Sequence, residues 1–386
     1  MKKIILFSFI GLMAATSCKK KGCTDPSANN YNADAEKDDG SCTYDTPGPT
    51  YSVPTTYTFT DANGNSTVSY GGQTSRMDML SEMVTYLKSA NDGGSSAAAT
   101  LDGATLLAMY DNSYTGWGDN SLVGNGKQLK SKTALNDAGI QAIFETWMNE
   151  AATASPSTNG TYLQASTGHE WTQLIEKGLM GACFASQMTA NYLSGILTDE
   201  NTTPVDPSNG KYYTEMEHHW DEAYGYFTDA TDYPVTGTNR FWGKYANNTL
   251  EGVLESASKI STAFRAGRAA ISAGITDDVS AQVTIINDEV MKMVAGMAIH
   301  YLNDVKSKVA NGETQAIINH SMSEAYAFIF GCQFVHNTSL NSATVNALLT
   351  QIDTDFQGFT QSVTSINSVI DSIAGATGLD SYKNDL

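Results

Sequence analysis

The stretch IQAIFETWMNEA, residues 140–151, repeats apolar side chains with the period of an α-helix. Spacings of three, four, seven, eight and eleven residues from the first position relate Ile140, Ile143, Phe144, Trp147, Met148 and Ala151. This spacing places all of these side chains on one face of a helix, and that face has to be buried against neighbouring elements. The stretch therefore predicts a helix that packs on one side within a larger helical fold.

Comparable apolar stripes recur from residue 75 onward, where few prolines interrupt the sequence. The stripes that predict further helices are Met79, Met83 and Leu87; Trp171, Leu174 and Ile175; Leu250, Val253, Leu254, Ala257 and Phe264; Val290, Met293, Val294, Met297, Tyr301 and Val305; Val345, Leu348, Leu349 and Ile352. Short polar loops between helices favour antiparallel neighbours. The chain is therefore predicted to be mainly α, with about eight to ten helices in an antiparallel helical bundle or two packed bundles.

A single strand pair is predicted, at the start of the helical domain, where Asn63-Gly64 separates two short runs of strand-forming residues. Asn-Gly between alternating aromatic and β-branched residues is typical of a tight hairpin. The flanking residues are Tyr57, Phe59, Val68 and Tyr70. We therefore expect a small N-terminal hairpin ahead of the helices.

The first residues have the properties of an export signal. Residues 1–17 show a charged start, an apolar run and a small-residue end, and the run is too short to span a membrane as a stable helix. Cys18 follows directly and resembles the cysteine of a bacterial lipobox, which is freed by cleavage for lipid attachment. We expect an exported protein held by lipid at the outer membrane, on its periplasmic or surface side, with plain secretion as the alternative.

The charge of the chain limits its partners. The formal net charge is −19, and loss of Lys2 and Lys3 with the signal makes it −21. Such a surface repels phosphate backbones and attracts cations and basic molecules. Nucleic acid is therefore not an expected partner, whereas the membrane, through the anchor, and a small ligand or metal ion are. The acidity also has a simpler explanation, which is solubility of an exported protein, and the sequence indicates no particular protein partner.

Residues 22–44, GCTDPSANNYNADAEKDDGSCTY, form a polar segment bracketed by Cys23 and Cys42, which we expect to pair in an oxidising compartment. The segment resembles a short cysteine-flanked module of exported Gram-negative proteins, so the N-terminal part is expected to be either disordered or stapled by this disulfide. Its oxygen-bearing side chains suit calcium or serve only in turns. These candidate ligands are Asp25, Asn30, Asn32, Asp34, Asp38 and Asp39.

The remaining cysteines, Cys183 and Cys332, lie in apolar helical stretches beside glycines. Buried free thiols are the expected state, and a bridge between the two is the alternative. The expected organisation is a signal at 1–17, a lipid-anchored module with a proline-rich linker at 18–54, and a helical domain at 55–386.

Two segments repeat the pattern H-x-x-x-E-A-Y, at residues 218–224 and 320–326. Residues four apart share a helix face, so each copy presents an imidazole beside a carboxylate, and two copies can converge on one ion. The candidate metal ligands are His218, His219, Glu222, His320 and Glu324. Imidazole and carboxylate together suit a transition ion such as iron, zinc or copper. The alternative is a pair of buried polar clusters, each Glu accepting hydrogen bonds from its His and a nearby Tyr.

Four segments carry a family resemblance: GGQTSRMDMLSEMVTYLK, LIEKGLMGA, EHHWDEAYGYF and HSMSEAYAFIFG. Together they resemble domain-of-unknown-function family 4856, Gram-negative envelope lipoproteins with a mainly helical domain, over about residues 53–380. More distantly the chain is similar to imelysin-like proteins, helical envelope proteins with an H-x-x-E motif that His219 and Glu222 match. The glycine that precedes this motif in imelysins is replaced here by Glu217.

The imelysin resemblance implies a role related to iron uptake or, in some members, proteolysis. Three functional hypotheses therefore stand. The first is a lipid-anchored envelope protein that binds a metal ion or small ligand through the paired His/Glu motifs. The second is an imelysin-type metallopeptidase, with Glu222 or Asp221 as base. The third is a noncatalytic scaffold in which the His-Glu clusters only stabilise the fold, so enzymatic activity stays open.

Overall fold

The computed structural model describes residues 20–26, 28–43, 51–91, 98–158, 161–235 and 239–386. The predicted signal at 1–17 and the predicted lipid-attachment residue Cys18 lie outside these residues. The chain divides into two compact units, Met1–Ser52 and Val53–Leu386. Among the described residues, no helix combines the length and apolar character that a membrane crossing needs.

The N-terminal unit is stapled by a disulfide between Cys23 and Cys42, whose Cα atoms lie 4.8 Å apart, as the sequence predicts. Two short strands, β1 (Lys21–Gly22) and β2 (Lys37–Asp38), pair in parallel. The unit has little further regular structure among its described residues because its Asn and Asp side chains form turns instead.

The second unit is mainly helical, as predicted, and the described residues form thirteen α-helices rather than eight to ten. They are α1 (Gly71–Lys88), α2 (Gly103–Asp111), α3 (Ala138–Ala154), α4 (Trp171–Leu179), α5 (Glu215–Phe227), α6 (Phe241–Tyr245), α7 (Glu251–Leu254), α8 (Ser256–Ala273), α9 (Thr276–Ala310), α10 (Gln315–Cys332), α11 (Ser342–Asp353), α12 (Phe356–Thr360) and α13 (Val363–Thr377). The number was predicted too low because short helices end at local kinks that apolar periodicity does not detect. Glu255, for example, has a φ of 57° and separates α7 from α8.

The core is organised around α9, which is 35 residues long and packs against α8 and α10. Short connections join α8, α9 and α10, so they are antiparallel neighbours. The predicted stripe of α9 is confirmed, since Val290, Met293, Val294 and Met297 are all fully buried. Burial of this stripe, at about 25 cal/mol per Å² of apolar surface, is a main source of stability for the bundle.

Helix α4 continues through two π-helical segments, Met180–Ala185 and Gln187–Leu193, and meets α10 at a point of very close contact. A Cβ added to Gly181 would lie 2.5 Å from the Cα of Gly331. The two backbones therefore lie in direct contact, and position 181 has no room for a side chain. Cys183 and Cys332 are buried free thiols, as expected, and are not bridged.

The predicted N-terminal hairpin is much shorter than expected. The chain reverses at Asp61 to Asn65, and the pairing is a single antiparallel bridge between Thr60 and Ser66. The segment packs on the helices through its aromatic residues instead. Tyr57, for example, stacks on Tyr224 of α5 with ring centroids 3.6 Å apart. Contact with the helices thus replaces an extended strand ladder.

Candidate functional site

The first motif lies on α5, which begins with a capping box between Thr214 and Glu217. His218 Nδ1 donates to the carbonyl of Ser69 at 3.0 Å, and its Nε2 lies 3.9 Å from Glu222 Oε1. Glu222 also accepts a hydrogen bond from Gln73 Nε2 at 2.9 Å. Burial lowers the pKa of His218 despite the nearby Glu222 carboxylate, so the neutral imidazole is favoured.

A buried ion cluster lies beside this motif and ties three segments together. Arg268 of α8 donates to Asp221 Oδ1 at 2.9 Å and to Glu217 Oε1 at 2.5 Å. Asp221 also accepts from the Tyr57 hydroxyl at 2.8 Å and from the Ser69 amide at 3.0 Å. Burial raises the pKa of Asp221 to about 6, against the lowering effect of Arg268. All of these contacts hold α5, α8 and the 57–69 segment together, so Asp221 is engaged in the fold.

His219 belongs to a different group from His218, although the two are adjacent in sequence. Its Nδ1 lies 2.8 Å from Asp199 Oδ2, and the imidazole is about one third exposed. Ligand atoms of Asp199, Glu215 and His219 all lie within 4.8 Å of one another. One imidazole nitrogen and two carboxylates in this arrangement can hold a cation.

The second motif lies on α10 and has its own partners. His320 Nδ1 lies 2.7 Å from Glu170 Oε2, and its Nε2 lies 3.5 Å from Glu324 Oε2. Tyr162 stacks on the imidazole with centroids 4.4 Å apart. Glu324 is also 3.9 Å from the ammonium of Lys177. Burial raises the pKa of Glu324, although Lys177 and His320 act to lower it.

The expected convergence of the two motifs on one ion does not form. Within the described part of the chain, Asp199, Glu215 and His219 are the one group of three or more His, Cys, Asp or Glu residues with ligand atoms this close together. The reason is packing: α5 packs on α1 and α8, whereas α10 packs on α4 and α9. The motif tyrosines also point elsewhere, since Tyr224 donates to Ala230 and Tyr326 to Asp353.

Sequence reasoning chose His219 as a metal ligand and placed Glu215 on the same side of its helix, but it included neither Glu215 nor Asp199 in the ligand set. Glu215 precedes His219 by four residues, so an E-x-x-x-H spacing on one helix face was available as a signal. Asp199 lies in the loop ahead of α5, and no local pattern marks it. Glu170, which meets His320, and Lys177, which meets Glu324, are likewise brought to the second motif only by the contact between α4 and α10.

Five of the six candidate calcium ligands of the N-terminal unit act as turn or ion-pair groups. Asp38 accepts from the amide of Gly40, Asp39 from that of Ser41, and Asn32 from that of Asp34, each about 3 Å long. Asp34 also pairs with Lys20 at 2.8 Å. Asn30 bridges to residues 41 and 43 through its side-chain amide. Asp25 is the sixth candidate, and calcium binding by this set stays a prediction.

The pKa values of the two repeat histidines are expected to shift in opposite directions, downward for His218 and upward for His320. Burial lowers the pKa of His320, but the hydrogen bond and charge of Glu170 and the charge of Glu324 outweigh it and leave the pKa raised. The charged pair therefore stabilises the fold below the unfolded pKa of about 6.5, and this contribution is lost as pH rises through the higher folded pKa. A proton NMR titration of the imidazole C–H signals measures both histidines.

Glu170→Gln provides the test of this assignment. The substitution removes the carboxylate charge beside His320 and is expected to lower the pKa of His320 while leaving that of His218 unchanged. An unchanged His320 titration in Glu170→Gln would contradict the role given to Glu170. His320→Gln identifies the signal in the spectrum.

Comparison with known protein families identifies a match over most of the chain. A family model described as a domain of unknown function (DUF4856) matches residues 54–380. No curated protein and no solved structure matches the chain.

Proposed function

The chain belongs to the DUF4856 family, and we propose on that premise that it is a lipid-anchored cell-envelope protein that binds a divalent transition-metal ion through Asp199, Glu215 and His219. The observation that carries the proposal is the approach of three ligand atoms to within 4.8 Å of one another. The lipid anchor rests on the lipobox-like sequence around Cys18.

The donor set determines which ions suit the group. One imidazole nitrogen and two carboxylate oxygens, at bond lengths of about 2.0–2.2 Å, match Zn²⁺ or Fe²⁺ better than the softer Cu⁺. His219 and Asp199 already face each other at 2.8 Å, so an ion would replace the proton that they share. The strongly acidic chain concentrates cations near this surface.

The exposure of the three-residue metal group favours reversible ion binding over a purely structural role. The imidazole of His219 is partly exposed and Glu215 is exposed, so water or a ligand can complete the coordination. Glu222, the base implied by the imelysin resemblance, lies outside the three-residue group and accepts from Gln73. Asp221, the other proposed base, is held by Arg268 in the interior. These contacts support reversible metal binding rather than metal-dependent proteolysis.

Adjacent histidines provide a matched pair of variants for the test. Isothermal titration of the full chain with Zn²⁺ is expected to show binding that His219→Gln weakens about tenfold or more, because a ligand is lost. His218→Gln should bind like the wild type, since His218 donates to Ser69 outside the group.

Asp199→Asn is the second variant, and it should also weaken binding because an amide is a poorer ligand than a carboxylate. Circular dichroism confirms that each variant is folded. If the wild type and His219→Gln bind Zn²⁺ equally, Asp199, Glu215 and His219 do not form the metal site.

A further inference from the structure

The second motif borders a cavity of about 670 Å³, which is separate from the metal group and within the size range of small-molecule sites. Its wall includes Gln173 and Lys177 of α4, Tyr245 of α6, and His320 and Glu324 of α10. We propose that this cavity binds a neutral, hydroxyl-rich ligand of the carbohydrate class. The proposal goes beyond the metal-binding function and rests on different residues.

The charged groups deep in the cavity wall compensate one another. Lys177 Nζ lies 2.9 Å from Glu176 Oε2 and 3.9 Å from Glu324 Oε1. His320 lies between Glu170 and Glu324, at 2.7 and 3.5 Å. Each deep acid therefore already has a cationic partner, so an ionic ligand would have to compete with existing pairs. A neutral ligand can bind without breaking them.

Unsatisfied acceptors in the wall indicate which groups the ligand presents. The Oε1 atom of Gln173 is buried, in a residue that is 5 percent exposed, and no described residue donates to it. The Oδ1 atom of Asn91, in the same wall, is also buried without a donor among the described residues. An unpaired buried acceptor is costly, so a hydroxyl donor at each position would be favourable.

The same acceptors and the cavity rim argue against charged ligands. An anion would be repelled by the oxygen atoms of Gln173 and Asn91, which lie where it would need donors. A cation would meet Lys88 and Lys244, two exposed lysines of the cavity wall. Hydroxyl groups avoid both costs, because they donate to oxygen and carry no charge.

Aromatic side chains supply the apolar part of the site. Tyr162, Phe241, Tyr245 and Tyr301 all line the cavity. The C–H faces of a sugar ring can pack against aromatic rings while its hydroxyls bond to polar groups at the edge. Phe241 has a φ of 48°, a left-handed conformation that an aromatic residue rarely adopts, and it is held there at the start of α6. Such a conformation at a cavity wall is typical of binding sites.

The test is a binding screen with the full chain and named sugars. Isothermal titration uses glucose, N-acetylglucosamine, maltose and cellobiose, with gluconate and glucosamine as the anionic and cationic analogues. At least one neutral sugar is expected to bind with a Kd of roughly 10 mM or lower. Its binding should be about tenfold tighter than that of either charged analogue.

Two buried glutamines of one continuous helical run provide the matched variants. Gln173→Met removes the free acceptor and should weaken sugar binding about tenfold. Gln187→Met removes a glutamine whose amide donates to the Lys132 carbonyl outside the cavity, and binding should be unchanged. Asn91→Ala removes the second free acceptor and should also weaken sugar binding. Because Asn91 is only half-buried, this substitution disturbs the fold less than one at Gln173.

Three results would overturn the proposal. The first is the absence of binding by all four neutral sugars. The second is equal or tighter binding of gluconate or glucosamine. The third is unchanged sugar affinity in both Gln173→Met and Asn91→Ala.

Discussion

Arg268→Met is expected to lower the free energy of unfolding by about 3–5 kcal/mol, because it leaves two buried carboxylates without their cation. Arg268 is fully buried and donates to Asp221, Glu217 and the Thr67 hydroxyl. Methionine fills a similar volume but offers no donor. Urea unfolding, followed by circular dichroism, measures the loss.

Arg265→Met is the matched control on the same helix. Arg265 is half-buried and its side chain donates to Thr262 at the surface. Its replacement is expected to cost less than about 1 kcal/mol. Comparable losses in the two variants would show that the cluster around Arg268 does not hold α5 and α8 together.

The loss in Arg268→Met is expected to grow with pH. Burial already raises the pKa of Asp221 to about 6 in the presence of Arg268, and removal of the cation raises this pKa further. A carboxyl whose folded pKa exceeds its unfolded value of about 3.9 favours the native state when protonated and destabilises it as pH rises. The variant should therefore be closest to wild type near pH 4 and furthest from it near pH 8.

Gly181→Ala is expected to cost about 3 kcal/mol, the second large effect. The new methyl carbon would lie 2.5 Å from the Cα of Gly331, so the helical run after α4 and helix α10 would have to separate. The obstacle is backbone, which cannot rotate away as a side chain does, and overpacking of this kind is costly. Thermal and urea unfolding of the purified variant measure the change.

Gly375→Ala is the control for the general effect of replacing a helical glycine. A Cβ at Gly375, within α13, meets nothing within 4 Å. Alanine should therefore stabilise the protein by about 0.5–1 kcal/mol through its higher helix propensity. Equal effects at Gly181 and Gly375 would contradict the close contact between the two backbones.

The repeated motif illustrates how far a local pattern predicts chemistry. Both copies form the expected helix and place His beside Glu at 3.9 and 3.5 Å. Their surroundings differ, however, since His218 meets a backbone carbonyl and His320 meets the carboxylate of Glu170. The pKa of His218 is therefore lowered and that of His320 is raised.

Sequence by itself determined the longer helices and the disulfide of this protein, because apolar periodicity, glycine breaks and cysteine spacing act within a few turns of chain. The helices that bear the motifs, the stripe of α9 and the Cys23–Cys42 disulfide were all predictable in this way. Only the tertiary structure decided which side chains meet. Asp199 reaches His219, and Glu170 reaches His320, through contacts between residues 20 and 150 positions apart. Such contacts depend on how whole helix faces pack, and no local pattern encodes them.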